Sequence, residues 1–361
     1  MKVAVACGGT GGHVFPGLAV AEALRDRGHD VVLWLAGRDV ENVSAGDWDG
    51  ATVRIKARGF QTGAILGAVG VAWRLVKAVA CSYGEMRKNR PDVILAMGSY
   101  ASVGPVLAAR LLHVPVVLHE ANVVPGRAIS FLSRFARVVA VAFQDASLHI
   151  SSDNVVVTGF PLRRRLTGSF DAGLLDEDLF TVLVMGGSQG ARRLNEVATE
   201  ALCALHAKGF PVQVVHLSGR NDETGVRRQY EEAGVPSLVF GFLDEMGKAY
   251  AAADIAISRS GAASCTELSA CGVPSLLVPL PSARRDHQRF NAEVLQRAGG
   301  ADVVTQPELT PEWLADYIED CRQNPEKLLR MREGLSQVAV PDATLQLANL
   351  VEETPRRPSS H

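Results

Sequence analysis

Aromatic residues are scarce in this sequence, at 6%, and its six cysteines (Cys7, Cys81, Cys203, Cys265, Cys271 and Cys321) form no CxxC pair and no dense cluster. That spacing argues against a zinc site and against a disulfide framework. A charge excess of one sign is missing too: the formal net charge is −2, so no nucleic-acid partner is expected. Long hydrophobic runs are absent. Fifteen uncharged residues lie between Arg58 and Arg74, and Val93 to Ala109 gives seventeen. A spanning helix needs about 20 mostly apolar residues, and glycine or proline interrupts both stretches. No signal-peptide pattern precedes the first strand, so a reducing cytoplasm is expected.

What is present is an ordinary globular composition, 47% hydrophobic and 21% charged, over 361 residues. That length is long for one domain and makes two the natural expectation. The chain then does one thing twice. A buried strand, Val3 to Ala6, meets Gly8-Gly9-Thr10-Gly11-Gly12 and a helix to about Arg27. Gly28 ends that helix, and a strand from Val31 to Leu35 stops at Gly37. From Thr181 the pattern returns. Val182 to Met185 meets Gly186-Gly187-Ser188-Gln189-Gly190 and a helix to about Lys208, Gly209 ends it, and Val212 to Leu217 stops at Gly219. Gly8 to Gly186 is 178 residues, Gly28 to Gly209 is 181 and Gly37 to Gly219 is 182, a near-constant shift. Short apolar strands alternating with helices mean parallel sheets, and two such starts mean two Rossmann-like doubly wound α/β domains with the active site in the cleft between them.

Further strands are expected at Asp92–Ala96, Val114–Leu118, Val138–Phe143, Leu238–Phe240, Ile255–Ile257 and Ser275–Val278. The boundary is expected near Gly159-Phe160-Pro161. A last helix should run from Ala343 to Glu352, and the polar tail from Thr354 to His361 reads as disordered.

Both glycine loops sit between a strand and a helix start, where free N–H groups and the helix dipole favour an anion. Neither loop is a GxGxxG or a P-loop, and each alone is equally a tight structural turn. His13 follows the first loop, at a helix N-terminus that would keep an imidazole neutral and able to act as a base. His119-Glu120-Ala121-Asn122 follows a strand, where ligand groups belong in this architecture; a turn with a helix cap is the alternative. In the second half Glu267 could accept two hydrogen bonds from a ribose diol or be a solvated helix glutamate. Asp286-His287-Gln288 and Asn291 form a polar cluster suited to sugar hydroxyls. No cluster of metal ligands is evident in the sequence.

Taken together, GGTGGHVFPGLAVAEAL (Gly8 to Leu24), GSYASVGP (Gly98 to Pro105), HEANVVPG (His119 to Gly126), GGSQGARRLN (Gly186 to Asn195), FLDEM (Phe242 to Met246) and SRSGAASCTELSACGVPSLLVP with DHQRFNA (Ser258 to Pro279, Asp286 to Ala292) resemble the MurG family of glycosyltransferases, in order over roughly residues 1 to 350. The resemblance implies the GT-B fold and a metal-independent, inverting transfer of N-acetylglucosamine (GlcNAc) from UDP-GlcNAc. The acceptor would be the 4-hydroxyl of a MurNAc-pentapeptide undecaprenyl-pyrophosphate lipid in peptidoglycan synthesis, at the cytoplasmic face of a bacterial plasma membrane. It implies no cofactor, the UDP-sugar being a co-substrate. It makes residues 160–339 the donor-binding domain, and 1–159 with a C-terminal helix at about 340–353 the acceptor and membrane-associating one. Carried over by motif, Leu243 meets the uracil with Arg163 nearby, Glu267 the ribose, and Ser188 and Gln189 in the Gly186–Gly190 loop the pyrophosphate. Ala262, His287, Gln288 and Asn291 would read the sugar, helped by Thr10, Gly11, Gly12 and Asn122. Gly9, Gly12, Tyr100 and Asn122 would take the acceptor. His13 is the expected base, with Glu120 the second candidate.

Two departures are visible: the family commonly has HEQN where this chain has His119-Glu120-Ala121-Asn122, and GNP where it has Gly159-Phe160-Pro161. A glycolipid or antibiotic glycosyltransferase, a UDP-sugar epimerase and an inactive sugar binder are the alternatives on this fold. Between residues 64 and 80, Ile65, Leu66, Val69, Trp73 and Val76 fall at helical spacing with Arg74 and Lys77 nearby. Such a stripe fits an interfacial helix on anionic lipid, or equally a face packed on the first sheet.

Overall fold

The computed structural model describes all residues except 10, 38–47, 56–64, 163–174, 177, 188–189, 244–245 and 357–361, and the side chains of 65–69, 71–72 and 356. The chain divides into two compact units. Unit 1 is Met1–Arg163 with Val340–His361, and unit 2 is Arg164–Ala339.

Unit 1 runs β1 (Lys2–Ala6), α1 (Gly11–Asp26), β2 (Asp30–Leu35), β3 (Thr52–Arg54), α2 (Ile65–Lys88), β4 (Val93–Ala96), α3 (Val103–Leu111), β5 (Val116–Glu120), α4 (Arg127–Leu132), β6 (Val138–Val141) and β7 (Val155–Val157). Its strands are all parallel in the order β3-β2-β1-β4-β5-β6-β7. Unit 2 runs β8 (Phe180–Met185), α5 (Arg192–Ala207), β9 (Val212–Leu217), α6 (Glu223–Ala233), β10 (Ser237–Phe240), α7 (Met246–Ala252), β11 (Ile255–Ser258), α8 (Ala262–Cys271), β12 (Ser275–Leu277), α9 (His287–Arg297), β13 (Ala301–Val303), α10 (Pro311–Gln323) and α11 (Pro325–Val338). Its sheet is parallel in the order β10-β9-β8-β11-β12-β13.

Strands covered on both faces have to be apolar throughout, and β4, β6 and β8 are buried at every position. In each sheet the winding reverses once, between β1 and β4 and between β8 and β11. Crossovers leave a reversal point in opposite directions, so a crevice opens there at the carboxyl ends of the strands. Glycines at positive φ end the helices before β2 and β9: Gly28 N–H closes on Arg25 O at 2.8 Å and Gly209 N–H on His206 O at 2.8 Å.

Two expectations need correction. The fifth strand starts at Val116 and includes His119 and Glu120, because Pro115 has no N–H and enters the ladder only through its carbonyl, which accepts from Ile94 N. The unit boundary falls after Arg163, close to the glycine-proline segment where it was expected. The tail does not end its order at Thr354: Thr354–Arg356 continue as a helical turn, with the buried Thr354 Oγ1 donating to Leu350 O at 2.6 Å.

Helix α12 (Ala343–Glu353) returns to unit 1. Leu347, Ala348, Leu350 and Val351 join the core formed with Leu18, Leu24 and β1. Arg27 donates to Asn349 Oδ1 at 2.8 Å, and His29 Nε2–H to Glu352 Oε1 at 2.7 Å. The expected α2 stripe is divided. Trp73 and Val76 are 69% and 59% exposed, while Leu75 and Ala78 pack on the core with the buried Ser82 and Met86 behind them. The Ile65, Leu66 and Val69 side chains lie outside those described.

Leu347 is fully buried against α1 although it lies about 180 residues beyond the rest of unit 1. Leu347→Ala should destabilise unit 1 by roughly 2–5 kcal/mol. In urea unfolding followed by hydrogen exchange, amides of β1 and β4 should lose protection while those of β8 and β11 keep theirs. Equal loss in both sheets would show that the helix serves the whole chain.

Candidate active site

In unit 1 the loops after β1 and β4 meet at the reversal point. Gly9 has φ +122, and a Cβ there would lie 2.8 Å from Ser99 Oγ, so only glycine allows this approach. Ser99 Oγ donates to Gly8 O at 2.7 Å and accepts from Ala101 N at 3.1 Å. Ser99 itself has φ 61 and ψ 171, a region almost confined to glycine, and such outliers persist only where their surroundings fix them. Gly11 and Gly12 are already the first turn of α1, where backbone N–H groups lack intrahelical acceptors. Thr10 lies outside the described residues.

His13 stands in that first turn, half-buried, and its Nδ1–H donates to Met97 O at 2.8 Å. The bond fixes the tautomer and leaves the Nε2 lone pair as the proton acceptor. Burial lowers the His13 pKa, against the opposing hydrogen bond to Met97. His119 is buried, donates from Nε2–H to Gly159 O at 3.0 Å, and is pushed down to about 4 by burial, with nearby His13 adding to the shift.

Glu120 is the last residue of β5. It is buried. Oε1 accepts from Asn122 N at 2.9 Å and Asn122 Nδ2 at 3.1 Å, and Oε2 from Gly126 N at 2.9 Å. Burial raises its pKa, and these three donors oppose the rise. Glu120 and Asn122 therefore hold the segment from 121 to 126 together. Tyr100 is half-buried, one residue beyond Ser99.

In unit 2 the loop after β8 follows the same plan. Gly187 and Gly190 have φ +83 and +73, and Gly190 N–H closes on Gly187 O at 2.9 Å. A Cβ on Gly190 would lie 2.5 Å from Ser218 O, so the loop packs directly on the turn after β9. That turn is held by a directed chain of buried groups. Tyr230 OH donates to His216 Nδ1 at 3.0 Å, His216 Nε2–H to Asn195 Oδ1 at 3.1 Å, and Asn195 Nδ2 to Ser218 O at 2.8 Å and Asp222 Oδ2 at 2.9 Å. Burial pushes His216 down to about 3. Ser188, Gln189 and Arg163 lie outside the described residues.

Glu267, in α8, accepts from the buried Tyr250 OH at 2.7 Å through Oε2, which fixes the carboxylate. Leu243 is half-buried just past β10. Ala262 opens α8 behind Gly261. Gln288 Oε1 accepts from Leu280 N at 2.9 Å, and His287 Nδ1–H donates to Arg284 O at 2.8 Å. Asn291 is fully buried and donates to Ser260 O at 3.2 Å, which ties α9 to the loop ahead of α8. Sequence reasoning missed Ser99, Tyr250 and Arg259. The first and last sit inside quoted motifs, at strand ends that could have marked them; Tyr250 carries no local signal. Among the described residues no group of three or more His, Cys, Asp or Glu could hold a metal ion.

Residues 3–141 match the glycosyltransferase family 28 N-terminal domain, and residues 181–347 match the family's C-terminal domain. The UDP-N-acetylglucosamine–N-acetylmuramyl-(pentapeptide) pyrophosphoryl-undecaprenol N-acetylglucosamine transferase of Halorhodospira halophila is 42% identical over 97% of this chain and 98% of its own length. The protein of the same description from Myxococcus xanthus is 36% identical over 97% of this chain and 92% of its own. The crystal structure of Acinetobacter baumannii MurG is similar at a TM-score of 0.79 and 32% identity, covering 98% of this chain and 99% of that one. The two parallel sheets are those of the GT-B fold.

The neutral histidines have a consequence for stability. His119 titrates at about 4 when folded against 6.5 in a free chain. Between those values the unfolded chain binds the proton and the folded chain does not. Stability is thus complete above pH 6.5 and falls as the pH drops towards 4, by about 1.4 kcal/mol per pH unit for this group. His119→Gln should remove that part of the slope in urea titrations between pH 6.5 and 5. An unchanged slope would mean that His119 is charged in the folded protein.

Proposed function

The chain belongs to glycosyltransferase family 28, and from that membership we infer that it transfers GlcNAc from UDP-GlcNAc to the muramyl 4-hydroxyl of an undecaprenyl-pyrophosphoryl MurNAc-pentapeptide. The observation that carries this reading is the similarity, at 36% and 42% identity over almost the whole chain, to transferases described by that reaction. In this reading the protein acts in peptidoglycan synthesis, and so in cell-wall building, cell shape and division. The epimerase and inactive-binder alternatives account for neither these relatives nor a histidine kept in its basic tautomer.

In the proposed reaction the acceptor oxygen attacks the anomeric carbon of GlcNAc. The bond from that carbon to the diphosphate oxygen breaks, UDP departs from the opposite face, and the configuration inverts. His13 Nε2 takes the hydroxyl proton; Nδ1–H on Met97 O holds the ring in the tautomer this needs. Glu120, the other candidate base, works instead as a positioning residue, since N–H groups occupy both its oxygens. Backbone N–H groups of the Gly186–Gly190 loop and the start of α5 would meet the leaving diphosphate. Unit 2 takes the donor: Leu243 the uracil, Glu267 the ribose, and the segment carrying His287 and Gln288 the sugar. Unit 1 takes the acceptor at Gly9, Gly11, Gly12 and Tyr100.

A crossed pair of variants tests the reading. His13→Ala should lower kcat by about 10²–10⁴-fold with UDP affinity nearly unchanged. Glu267→Ala should weaken UDP binding in calorimetry while leaving the fold intact. Loss of UDP binding in the first variant, or its retention in the second, would reverse the assignment of the two units.

The acceptor's polyprenyl chain requires work at a bilayer surface, although no described helix is long and apolar enough to cross a membrane. Peripheral contact with anionic lipid at the cytoplasmic face, through the exposed Trp73 and Val76 of α2 beside Arg74 and Lys77, meets that need. Trp73→Ser with Val76→Ser should reduce sedimentation with anionic vesicles and leave the Tm nearly as before. A large fall in Tm with unaltered vesicle binding would return these side chains to the core.

A further inference from the structure

Arg259 follows β11 and is only 5% exposed. Its backbone N–H donates to Met185 O, the end of β8, at 3.2 Å. Its guanidinium reaches the other way along the carboxyl edge of the sheet. Nη1 donates to Val278 O at 3.1 Å and to Pro279 O at 3.4 Å, and Nη2 donates to Gln306 Oε1 at 2.5 Å. All these partners are neutral, and Nε has no partner among the described residues. Burial without a carboxylate lowers the Arg259 pKa. A buried cation met only by neutral groups is a poor stabiliser, and an apolar residue of similar volume commonly does as well or better. Stability alone therefore does not account for an arginine here.

Its geometry accounts for it better. The guanidinium joins the segments that leave β11, β12 and β13. The segment leaving β12 leads to α9 through two strained residues: Arg285 and Asp286 have φ 56 and 58, in the left-handed region. Consecutive left-handed residues other than glycine persist only where both ends of their segment are fixed. At the far end α9 is fixed by Asn291 Nδ2 on Ser260 O, at 3.2 Å. At the near end the fixed atoms are the two carbonyls under Arg259. The next residue, Leu280, gives its N–H to Gln288 Oε1 at 2.9 Å, which turns the amide nitrogen of Gln288 outward as a donor.

We propose that Arg259 is the positioning residue of the donor-sugar segment: by holding the Val278 and Pro279 carbonyls it sets the Leu280 N–H against Gln288, and thereby the side chains that read the sugar of the donor. The proposal rests on the assignment of the UDP-sugar to unit 2. A planar fork suits the task because it can serve two successive carbonyls and a third acceptor from one rigid group, which a lysine ammonium on its flexible stem cannot.

The test uses the full-length protein with Arg259→Met, Arg259→Lys, Gln288→Ala and the Arg259→Met/Gln288→Ala pair. Arg259→Met should raise KM for UDP-GlcNAc about tenfold, leave the Kd of UDP within about twofold, and lower the preference for UDP-GlcNAc over UDP-GalNAc. Because Arg259 acts through Gln288, the pair should be no worse than the more damaging single variant. Additive effects in the pair, or UDP affinity lost in parallel with KM, would overturn the proposal in favour of a purely structural arginine. Should Arg259→Met not fold, Arg259→Lys keeps the charge and must still show the same split between sugar and UDP; normal kinetics in that variant would equally overturn it. The reading beneath fails separately, and visibly, if the unaltered protein does not bind UDP.

Discussion

The structure depends on glycine backbone packing tightly against the neighbouring loop at the carboxyl edge of each parallel sheet. In unit 1 a methyl group on Gly9 would collide with the Ser99 side chain, and in unit 2 one on Gly190 would collide with the Ser218 carbonyl. Parallel pairing sends every strand end to the same edge, and the reversal of winding leaves adjacent crossovers diverging there. The loop after the first strand of each unit must fold back tightly before its helix begins. Only then do the first N–H groups of the helix open onto the crevice where an anion can reach them. Glycine is what makes the close approach possible, and the repeated placement of glycine is the trace this constraint leaves in the sequence.

Tight loops bring polar groups under cover, and covered polar groups must be satisfied. The site residues accordingly fall into two kinds. Glu120, Asn195, His216 and Asn291 hydrogen-bond to neighbouring protein groups and fix loops. His13, Glu267 and Gln288 have one end tied, by Met97 O, Tyr250 OH and Leu280 N respectively, which orients the other end. An oriented group loses little further freedom when substrate arrives, so the internal bonds belong to the chemistry as much as the contacts with substrate do.

This division explains what could be read from sequence. The duplicated strand–glycine–helix pattern is local, and it led to two parallel doubly wound units, to Gly28 and Gly209 as helix ends, and to the helix at 343–353. The three-residue strands Thr52–Arg54, Val155–Val157 and Ala301–Val303 escaped because so short a run has no period of its own; its neighbours in the sheet define it. The motifs name residues at the carboxyl ends of both sheets, and the structure adds how each is held. Asn291 stands in DHQRFNA as a candidate sugar reader, and only the structure adds that its amide also ties to the Ser260 carbonyl 31 positions earlier in the chain. Arg259 looks like a surface cation between two serines until its acceptors appear on two other segments. Satisfaction of a buried donor is a non-local property, and a pattern of residue types does not record it.

The same physics separates the two candidate bases. Burial disfavours charge, so it shifts the His13 pKa down and the Glu120 pKa up, the latter against the N–H donors on its oxygens. A neutral imidazole is the competent form of a base. Geometry adds to this. The Met97 carbonyl takes one nitrogen of His13 and so determines which nitrogen accepts. At Glu120 the N–H groups of Asn122 and Gly126 and the amide of Asn122 point at both oxygens. Taking Glu120 for a base would mean releasing the segment from 121 to 126 in the act of proton transfer. Using His13 moves nothing, because the hydrogen bond that orients the ring becomes stronger as the ring takes up charge.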